Sequence, residues 1–594
     1  MSDRIKFYSQ RASSLREQKL IIDRRLREIS RWRAILFVLV IASVALAMAY
    51  TNLFLLSGLV LMIAFGYQVK RFALQSQEAA IAAAMLKLNE DELTFAQGGK
   101  SVFSQNDVSE AQGHIYASDL DIFGKGSLFQ AIDRSATWEG REMVVDALLN
   151  LPKDISLIVQ RKEATTDLAD DVEWRQRFHV IGTMAAEAPD DMPSLRKWVN
   201  QSEFFATRRS WIWIARVISA LSAAFIIWMF IVQEFYFFYF FGWLMFNSTI
   251  RGILEKDMKR YFSTFGSRTR LFQKFADLFL LVSKREFKSS LGQEHHRKVD
   301  EASSAFLELS QLSNRADQRL NAFVGLTMNG LFLYDIWNIH AIERWRLKYK
   351  DRVDGWIIAL ANIDMLSSMA NYRFNHPAFV DASITTGPTF LKAASLGHPL
   401  LPFETSVKND YEIGVASKAH IVTGSNMAGK STFIRTVGLN LVLAMNGLPV
   451  CARECSCTVM SIASCIRITD SLEEHASYFR AELIRLETIV RLLGSGEPYI
   501  VLLDEILRGT NSDDKRMGTL AFFRKLKDYN CLAILATHDL VIGKLEEEFP
   551  QHFSNYCFES ELKGSQLYFD YKLRKGVSSS TNATFLMKSL GLID

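Results

Sequence analysis

Cysteine and proline are scarce in this chain of 594 residues, at six and ten. Six thiols cannot staple a polypeptide of this length, so a disulfide-built fold is excluded. So few prolines leave long stretches free to be helical. Net charge is lacking too: 69 Lys and Arg stand against 65 Asp and Glu, giving +4. Bulk charge therefore points to no polyanionic partner. What the chain has in excess is apolar surface, with 49% hydrophobic residues and a mean hydropathy of +0.05. The length calls for two to four domains.

The apolar excess sits in two blocks. Residues 34–50 (AILFVLVIASVALAMAY) carry no charge, and after Thr51 and Asn52 the run resumes from Leu53 to Tyr67. A helix crosses a bilayer with about 20 apolar residues, so block 34–68 predicts a hairpin of two short spans. Arg31 and Arg33 flank one end, Lys70 and Arg71 the other, which places both ends in the cytoplasm. Block 211–250 repeats the plan, with Arg208 and Arg209 before it, Gln233 and Glu234 at the turn, and Arg251 after it. Arg216 is read as snorkelling to headgroups. Core helices of a soluble protein would show a polar face, which these runs lack. A cleaved signal peptide is excluded, since the apolar region starts late and continues too far.

Four spans predict a multi-pass protein of the bacterial inner-membrane type. Its cytoplasmic parts are a basic N-terminal helix (1–33), a helical region (69–205), a second helical region (252–375) and a C-terminal domain (376–594). The first 33 residues hold ten bases against four acids. Cys451, Cys455, Cys457 and Cys465 crowd together without a histidine at ligand spacing, so they read as buried free thiols in strands.

The C-terminal region carries the chemistry. A short strand, His420–Thr423, runs into Gly424-Ser425-Asn426-Met427-Ala428-Gly429-Lys430-Ser431-Thr432 and then a helix-compatible stretch. This is the P-loop pattern in its strand–loop–helix setting. Glycines let backbone N–H groups turn toward the phosphates of ATP, Lys430 adds charge there, and the Ser431 hydroxyl suits Mg²⁺. Downstream, Tyr499–Leu503 is an apolar strand ending in Asp504 and Glu505. Asp504 is expected to hold Mg²⁺ and Glu505 to orient the attacking water. A third strand, Cys531–Ala536, ends at Thr537 and His538, where an imidazole could sense the γ-phosphate.

These segments resemble the ATPase domain of the MutS family. GSNMAGKST (424–432) is similar to that family's P-loop, LLDEILRGTNSDD (502–514) to its Walker B segment, and ATHD (536–539) to its histidine switch. DSLEEHASYFRAEL (470–483) resembles its signature loop, with Ser477, Phe479 and Glu482 at matching places, and Tyr571-Lys572-Leu573 extends the likeness. In that family the loop serine reaches the nucleotide of the other subunit, so the resemblance implies a homodimer with Ser477 completing a shared site. Upstream, 119–152, Ala361–Ala370, Asn375-His376-Pro377 and His398-Pro399 resemble the core and lever regions. The fold implied is multidomain: helical transmembrane hairpins, a mainly α-helical core and lever, and an α/β P-loop ATPase of ABC-like MutS type.

The departures bear on function. A membrane hairpin takes the place of the mismatch-reading N-terminal domain, and Phe306-Leu307-Glu308 reads as a coincidental match to its wedge. His475 and Leu507 stand where the family usually has glycine, which puts the geometry of both loops in question. The sequence leaves two outputs open. One is nucleotide-driven rearrangement on DNA, mismatched or branched, in a repair-related role. The other is a membrane mechanochemical ATPase acting on a protein or lipid partner. Arg251, Lys256, Lys259, Arg260, Arg268 and Arg270 lie beside a span, where lipid is the first reading and DNA the second. An ABC transporter half is excluded by order, since Ser290-Leu291-Gly292-Gln293 precedes the P-loop.

Overall fold

A computed structural model describes residues 2–578 apart from 52, 100–102, 104–112, 202–208, 233–236, 266–267, 319–321, 404, 426, 468–477 and 564–565. Helices α1 (Ser2–Ala49) and α2 (Leu53–Ala96) run unbroken through the first apolar block and pair as a hairpin. At 1.5 Å per residue they are about 72 and 66 Å long. Their apolar halves are uncovered, as Phe37, Val60 and Ile63 show by being more than half exposed. The hydroxyl of Ser43 is satisfied inside the pair, by Phe54 O at 2.6 Å and Ser57 Oγ at 2.8 Å. That is how a polar group is kept in apolar surroundings.

Helices α3 (Leu128–Ile132), α4 (Trp138–Leu149), α5 (Ile155–Ala169), α6 (Val172–Thr183) and α7 (Asp191–Val199) follow. Four of them begin where a side chain can cap: Ser127, Thr137, Asp154 and Asp171 each accept from a first-turn N–H. The second apolar block forms α8 (Arg209–Val232) and α9 (Phe237–Phe265). Among the described residues, three helices are by length and composition apolar enough to cross a membrane: α1, α2 and α8. Helix α9, the fourth predicted span, is not among them. Its apolar part, 237–250, is about 21 Å long, and it contains the fully buried Asn247.

Helices α10 (Thr269–Ser283), α11 (Ser290–Lys298), α12 (Ala302–Gln318), α13 (Ala322–Phe332) and α14 (Tyr334–Asn375) complete the helical part. Phe306 is wholly buried against Phe275, Phe279 and Trp345. It is core, so its likeness to a base-stacking wedge is indeed coincidental.

Helix α14, 42 residues long, spans about 63 Å and is fastened at both ends. At its foot Asp335, 1% exposed in its side chain, pairs with Arg251 of α9 at 2.8 Å. Trp337 donates to Ser219 of α8 at 3.2 Å. The carbonyls that end α13 are capped from the same hairpin, Gly330 O by Asn247 at 2.6 Å and Phe332 O by Ser219 at 3.1 Å. At its head Asn375 accepts from Tyr8 of α1 at 2.7 Å. Beside it Asn371 donates to Glu92 of α2 at 2.9 Å, and Glu92 holds Arg134 at 2.6 Å in a buried ion pair. Between these ends the buried Asp364 accepts from Ala136 N and from both Thr137 N and Oγ1, holding the start of α4.

Three of the six basic residues beside the second hairpin are engaged in ion pairs. Arg251, Arg268 and Lys259 pair with Asp335, Asp191 and Glu255. Arg270 lines a cleft between α2, α6 and α10 with Arg177 and Lys284.

The C-terminal part holds two sheets. The smaller joins β1 (Ser383–Thr385), β2 (Leu391–Leu396), β3 (Asn409–Ile413) and β5 (Glu454–Thr458) in the order β1-β5-β2-β3. The larger has the order β10-β9-β4-β8-β7-β6, with β4 (Ala419–Thr423), β6 (Ser461–Cys465), β7 (Tyr499–Asp504), β8 (Cys531–Thr537) and β9 (Phe553–Lys563) parallel, and β10 (Gln566–Lys575) antiparallel at the edge. Strands β4, β7 and β8 are buried at every position, which is why they read as unbroken apolar runs. Helices α15 (Lys430–Met445), α16 (Tyr478–Leu493) and α17 (Ser512–Leu526) connect them. All six cysteines are free and buried, Cys455 and Cys457 in β5 and Cys465 in β6.

Candidate functional site

The carboxyl ends of β4, β8 and β7 lie side by side, with Thr423 in register with Thr537 and Ala536 with Asp504. Ligands of open parallel sheets collect at such an edge. The turn after β4 requires glycine twice. Gly424 has φ +144°, and a Cβ there would come within 2.6 Å of Phe558 O. Gly429 has φ +98°, and a Cβ there would meet the Tyr571 ring at 3.0 Å. Between them the buried Ser425 hydroxyl has no partner among the described residues.

Helix α15 then begins at Lys430, so its free N–H groups and its dipole face the turn. Lys430 is 3% exposed in its side chain and 3.9 Å from Glu505. Its ammonium donates to Gly424 O at 2.6 Å and Ser425 O at 3.0 Å. Burial lowers its pKa, against the pull of Glu505 and Asp504. A half-desolvated ammonium over a helix N-terminus is a seat for an anion.

Ser431 Oγ donates to Asp504 Oδ2. Burial raises the Asp504 carboxyl above its usual range, opposed by that hydrogen bond and by Arg508. Glu505, at φ +49°, accepts from His538 Nδ1 at 3.2 Å. Burial pushes Glu505 up, but the His538 hydrogen bond and the charges around it outweigh burial and hold it below the usual range. An ionised carboxylate beside an imidazole can orient a water and take its proton.

Thus Gly424, Ser425, Gly429, Lys430, Ser431, Asp504, Glu505 and His538 converge. Met427 is 68% exposed at the loop tip, Ala428 is buried beneath it, and Thr432 is exposed on the first turn. Asn426 and Ser477 lie outside the described residues, as does His475.

Three contributors carried no assigned role in the sequence. Arg508 donates to Asp504 O at 3.1 Å and Glu505 O at 3.0 Å, spanning both acids. Glu482 of α16 accepts from Leu507 N at 2.6 Å and Arg508 N at 3.1 Å, which shapes the turn after β7. Tyr571, at φ +54°, lays its ring against Gly429. Arg508 and Tyr571 sit within the motifs, so proximity was a usable signal for them.

Residues 420–588 match the family model described as MutS domain V. The chain is 31% identical over 242 residues to the DNA mismatch repair protein MutS of Thermotoga petrophila, covering 40% of this chain and 29% of that protein. It is 29% identical over 255 residues to the MutS of Ehrlichia ruminantium (strain Gardel), covering 41% and 30%. It is 24% identical over 318 residues to the Endonuclease MutS2 of Bacillus velezensis, covering 53% and 39%. The match therefore spans well under half the length of these relatives.

Proposed function

Starting from a chain that is a MutS-family protein through its C-terminal domain, we propose that it is a membrane-anchored ATPase working as a homodimer. The observation that carries this reading is the convergence of Lys430, Ser431, Asp504, Glu505 and His538 at one edge of the parallel sheet. The loop 424–432 takes the phosphates of ATP. Gly424 and Gly429 leave a cradle that any Cβ would fill, and the Ser425 hydroxyl, without a partner among the described residues, lies in the same turn. Lys430 exchanges its two loop carbonyls for phosphate oxygens. Ser431 and Asp504, now bonded to each other, are the oxygen pair that would hold Mg²⁺, which supplies charge neutralisation at the phosphates. Glu505 orients and deprotonates the attacking water, and His538 holds Glu505 ionised and turned toward it. The exposed Tyr571 ring beside Gly429 offers a stacking face for a base.

The outer face of the γ-phosphate needs donors opposite Lys430. Ser477 of the other subunit fills that role in this reading, as the family resemblance implies. Helices α1, α2 and α8, with α9, anchor the chain in the membrane, with the ATPase on the cytoplasmic side.

Removing Lys430 (Lys430→Ala) abolishes tight ATP binding. Glu505→Gln spares binding and blocks turnover, because it removes only the group that positions water. Wild-type hydrolysis by Glu505→Gln would overturn the assignment.

For the output, the names of the relatives favour DNA as the partner, in a repair-related role. The buried Phe306 and the paired Arg251, Lys259 and Arg268 favour a mechanical output on a protein or the bilayer. Salt-titrated binding of the detergent-solubilised protein to matched, mismatched and branched DNA separates the two, since phosphate contacts give a steep salt slope.

A further inference from the structure

Arg177 of α6, Arg270 in the first turn of α10 and Lys284 just past its end are all exposed. They line one cleft between α2, α6 and α10, with a volume of about 480 Å³. Among the described residues none of the three has an ion pair or a side-chain hydrogen bond. Like charges gathered around one concavity repel each other until an anion neutralises them.

The rest of the lining narrows the kind of anion. Lys274, 4% exposed, is also in the wall, but Glu187 already holds it at 2.7 Å. Asp277 is the one acid among the lining residues, and Gln273 Nε2 donates to it at 2.9 Å. Three positive charges without partners against one negative leave two uncompensated. A phosphomonoester carries about two negative charges at neutral pH and offers three acceptor oxygens. The remaining wall is apolar, from Ile81, Ile181, Met184, Leu280 and Leu281. Met184 and Leu280 are 44% and 42% exposed, so a compact apolar body would cover surface now facing water. The volume falls within the roughly 300–1,000 Å³ of small-molecule sites. A duplex instead presents a continuous row of phosphates, one per about 1.7 Å of axis, and suits an open face.

We propose that this cleft binds a small organic phosphate, a phosphate group on a compact apolar body, with Arg177, Arg270 and Lys284 as its charge partners. Lipid headgroups and soluble compounds share that chemistry. Helix α2 runs unbroken out of the first apolar block, and its Gln77 and Ile81 come 10 and 14 positions after Tyr67. They therefore lie about 15 and 21 Å further along the axis. With that block in a bilayer, as proposed above, the headgroup layer is only about 5–8 Å deep. The source is the soluble one. Seated there, the ligand bridges α2, which continues the first hairpin, and α10, which follows the second.

Calorimetric titration of the detergent-solubilised full chain with phenyl phosphate at low salt tests this. Every arm carries Lys430→Ala to weaken competition from the loop 424–432, and the cleft variants locate the site whatever that loop does. Phenyl phosphate binds more tightly than inorganic phosphate, since only the former covers the apolar wall. Arg177→Ala, Arg270→Ala and Lys284→Ala each weaken it by about tenfold, as expected for a charge-assisted hydrogen bond at an exposed rim. Asp277→Asn acts in the opposite direction and tightens binding by about three- to tenfold, a gain that damage to the fold does not produce. No binding by the parent, or unchanged affinity in all four variants, overturns the site. If one cation variant folds poorly, the other two and Asp277→Asn still decide. Two competitors then fix the source, with the chain in phosphatidylcholine bilayers. Phenyl phosphate binding unchanged by added phosphatidate supports the soluble compound. Displacement by phosphatidate overturns the soluble source, and displacement by duplex DNA overturns the small-molecule reading.

Discussion

Leu507 offers a test of the turn that carries Glu505, the proposed catalytic acid. It stands where the MutS resemblance leads one to expect glycine, and its backbone takes φ +62°. A left-handed conformation costs a residue with a Cβ roughly 1–2 kcal/mol. The side chain offsets this by being 7% exposed within the cluster of Leu503, Ile506 and Phe523. It packs so closely on Gly518 that a Cβ there would lie 2.6 Å from Leu507 Cδ1. Truncating a buried leucine to alanine costs about 2–5 kcal/mol. Leu507→Ala pays that cost and keeps the strain. Leu507→Gly loses one more carbon but releases the strain. In an ordinary helix or strand glycine is the worse replacement by roughly 0.5–1 kcal/mol. Here the order inverts, and glycine is expected to be the more stable variant by about 1 kcal/mol. For a domain of 150–250 residues that corresponds to about 2–4 °C. The assay is thermal unfolding of the purified protein in detergent, followed by loss of fluorescent nucleotide binding. An alanine variant that melts at or above the glycine variant would refute the strained turn, and with it the placement of Glu505 at its start.

Three further outcomes are expected. Replacing His538 by alanine removes the hydrogen bond that heads the causes holding Glu505 low, so the acid limb of the kcat–pH profile moves to higher pH, and an unmoved limb would count against the pair. The imidazoles of His376 and His398 are pushed down to about 4 and that of His420 to about 3, each chiefly by burial. Because the unfolded chain binds those protons first, stability is full above the ordinary histidine pKa of about 6.5 and falls below it by up to about 1.4 kcal/mol per pH unit per group. A melting temperature flat between pH 7 and pH 5 would contradict this. Reporters placed after Asp594 and within 69–205 should both read as cytoplasmic, and luminal labelling of either would refute the paired hairpins.

The sheet edge where β4, β7 and β8 end was legible because buried parallel strands are continuous apolar runs that end at polar residues. The strand expected at His420–Thr423 is Ala419–Thr423, and the one expected at Cys531–Ala536 is Cys531–Thr537. The hydrogen-bond pair Ser431–Asp504 and the contact between Glu505 and His538 follow once those ends are adjacent. Asp119 was illegible as a contact to β6, since 345 residues separate it from Ser464 and a lone carboxylate has no pattern. Glu92 and Arg134, two charges in stretches otherwise helical, gave no sign of being a buried pair. The second hairpin was the least faithful reading. Apolarity announced it, but Asn247 and Ser219 are spent on capping α13, a helix the sequence reading did not single out.

The attachments of α14 bear on which output suits this architecture. Its foot is bound to the second hairpin through the Asp335–Arg251 ion pair and Trp337, its head to the first through Asn375–Tyr8 and Asn371–Glu92. Both sets are buried or half-buried, and removing one partner of a buried polar pair strands the other without water. The head also adjoins the C-terminal domain, since Arg373 donates to Gly447 O at 2.8 Å just beyond α15. A helix of this length is stiff along its axis, so a rotation of about 10° at the head would carry the foot about 11 Å, a displacement typical of hinge motions. Packed interfaces of this kind switch between arrangements rather than stretch. Any reorientation of the C-terminal domain against α14 must therefore be taken up by the two hairpins moving relative to each other, or by rupture of one of these junctions. In either case the apolar hairpins are bound into the mechanical path rather than serving as a loose tether, which is the arrangement that the proposed output on the bilayer or on a membrane protein requires.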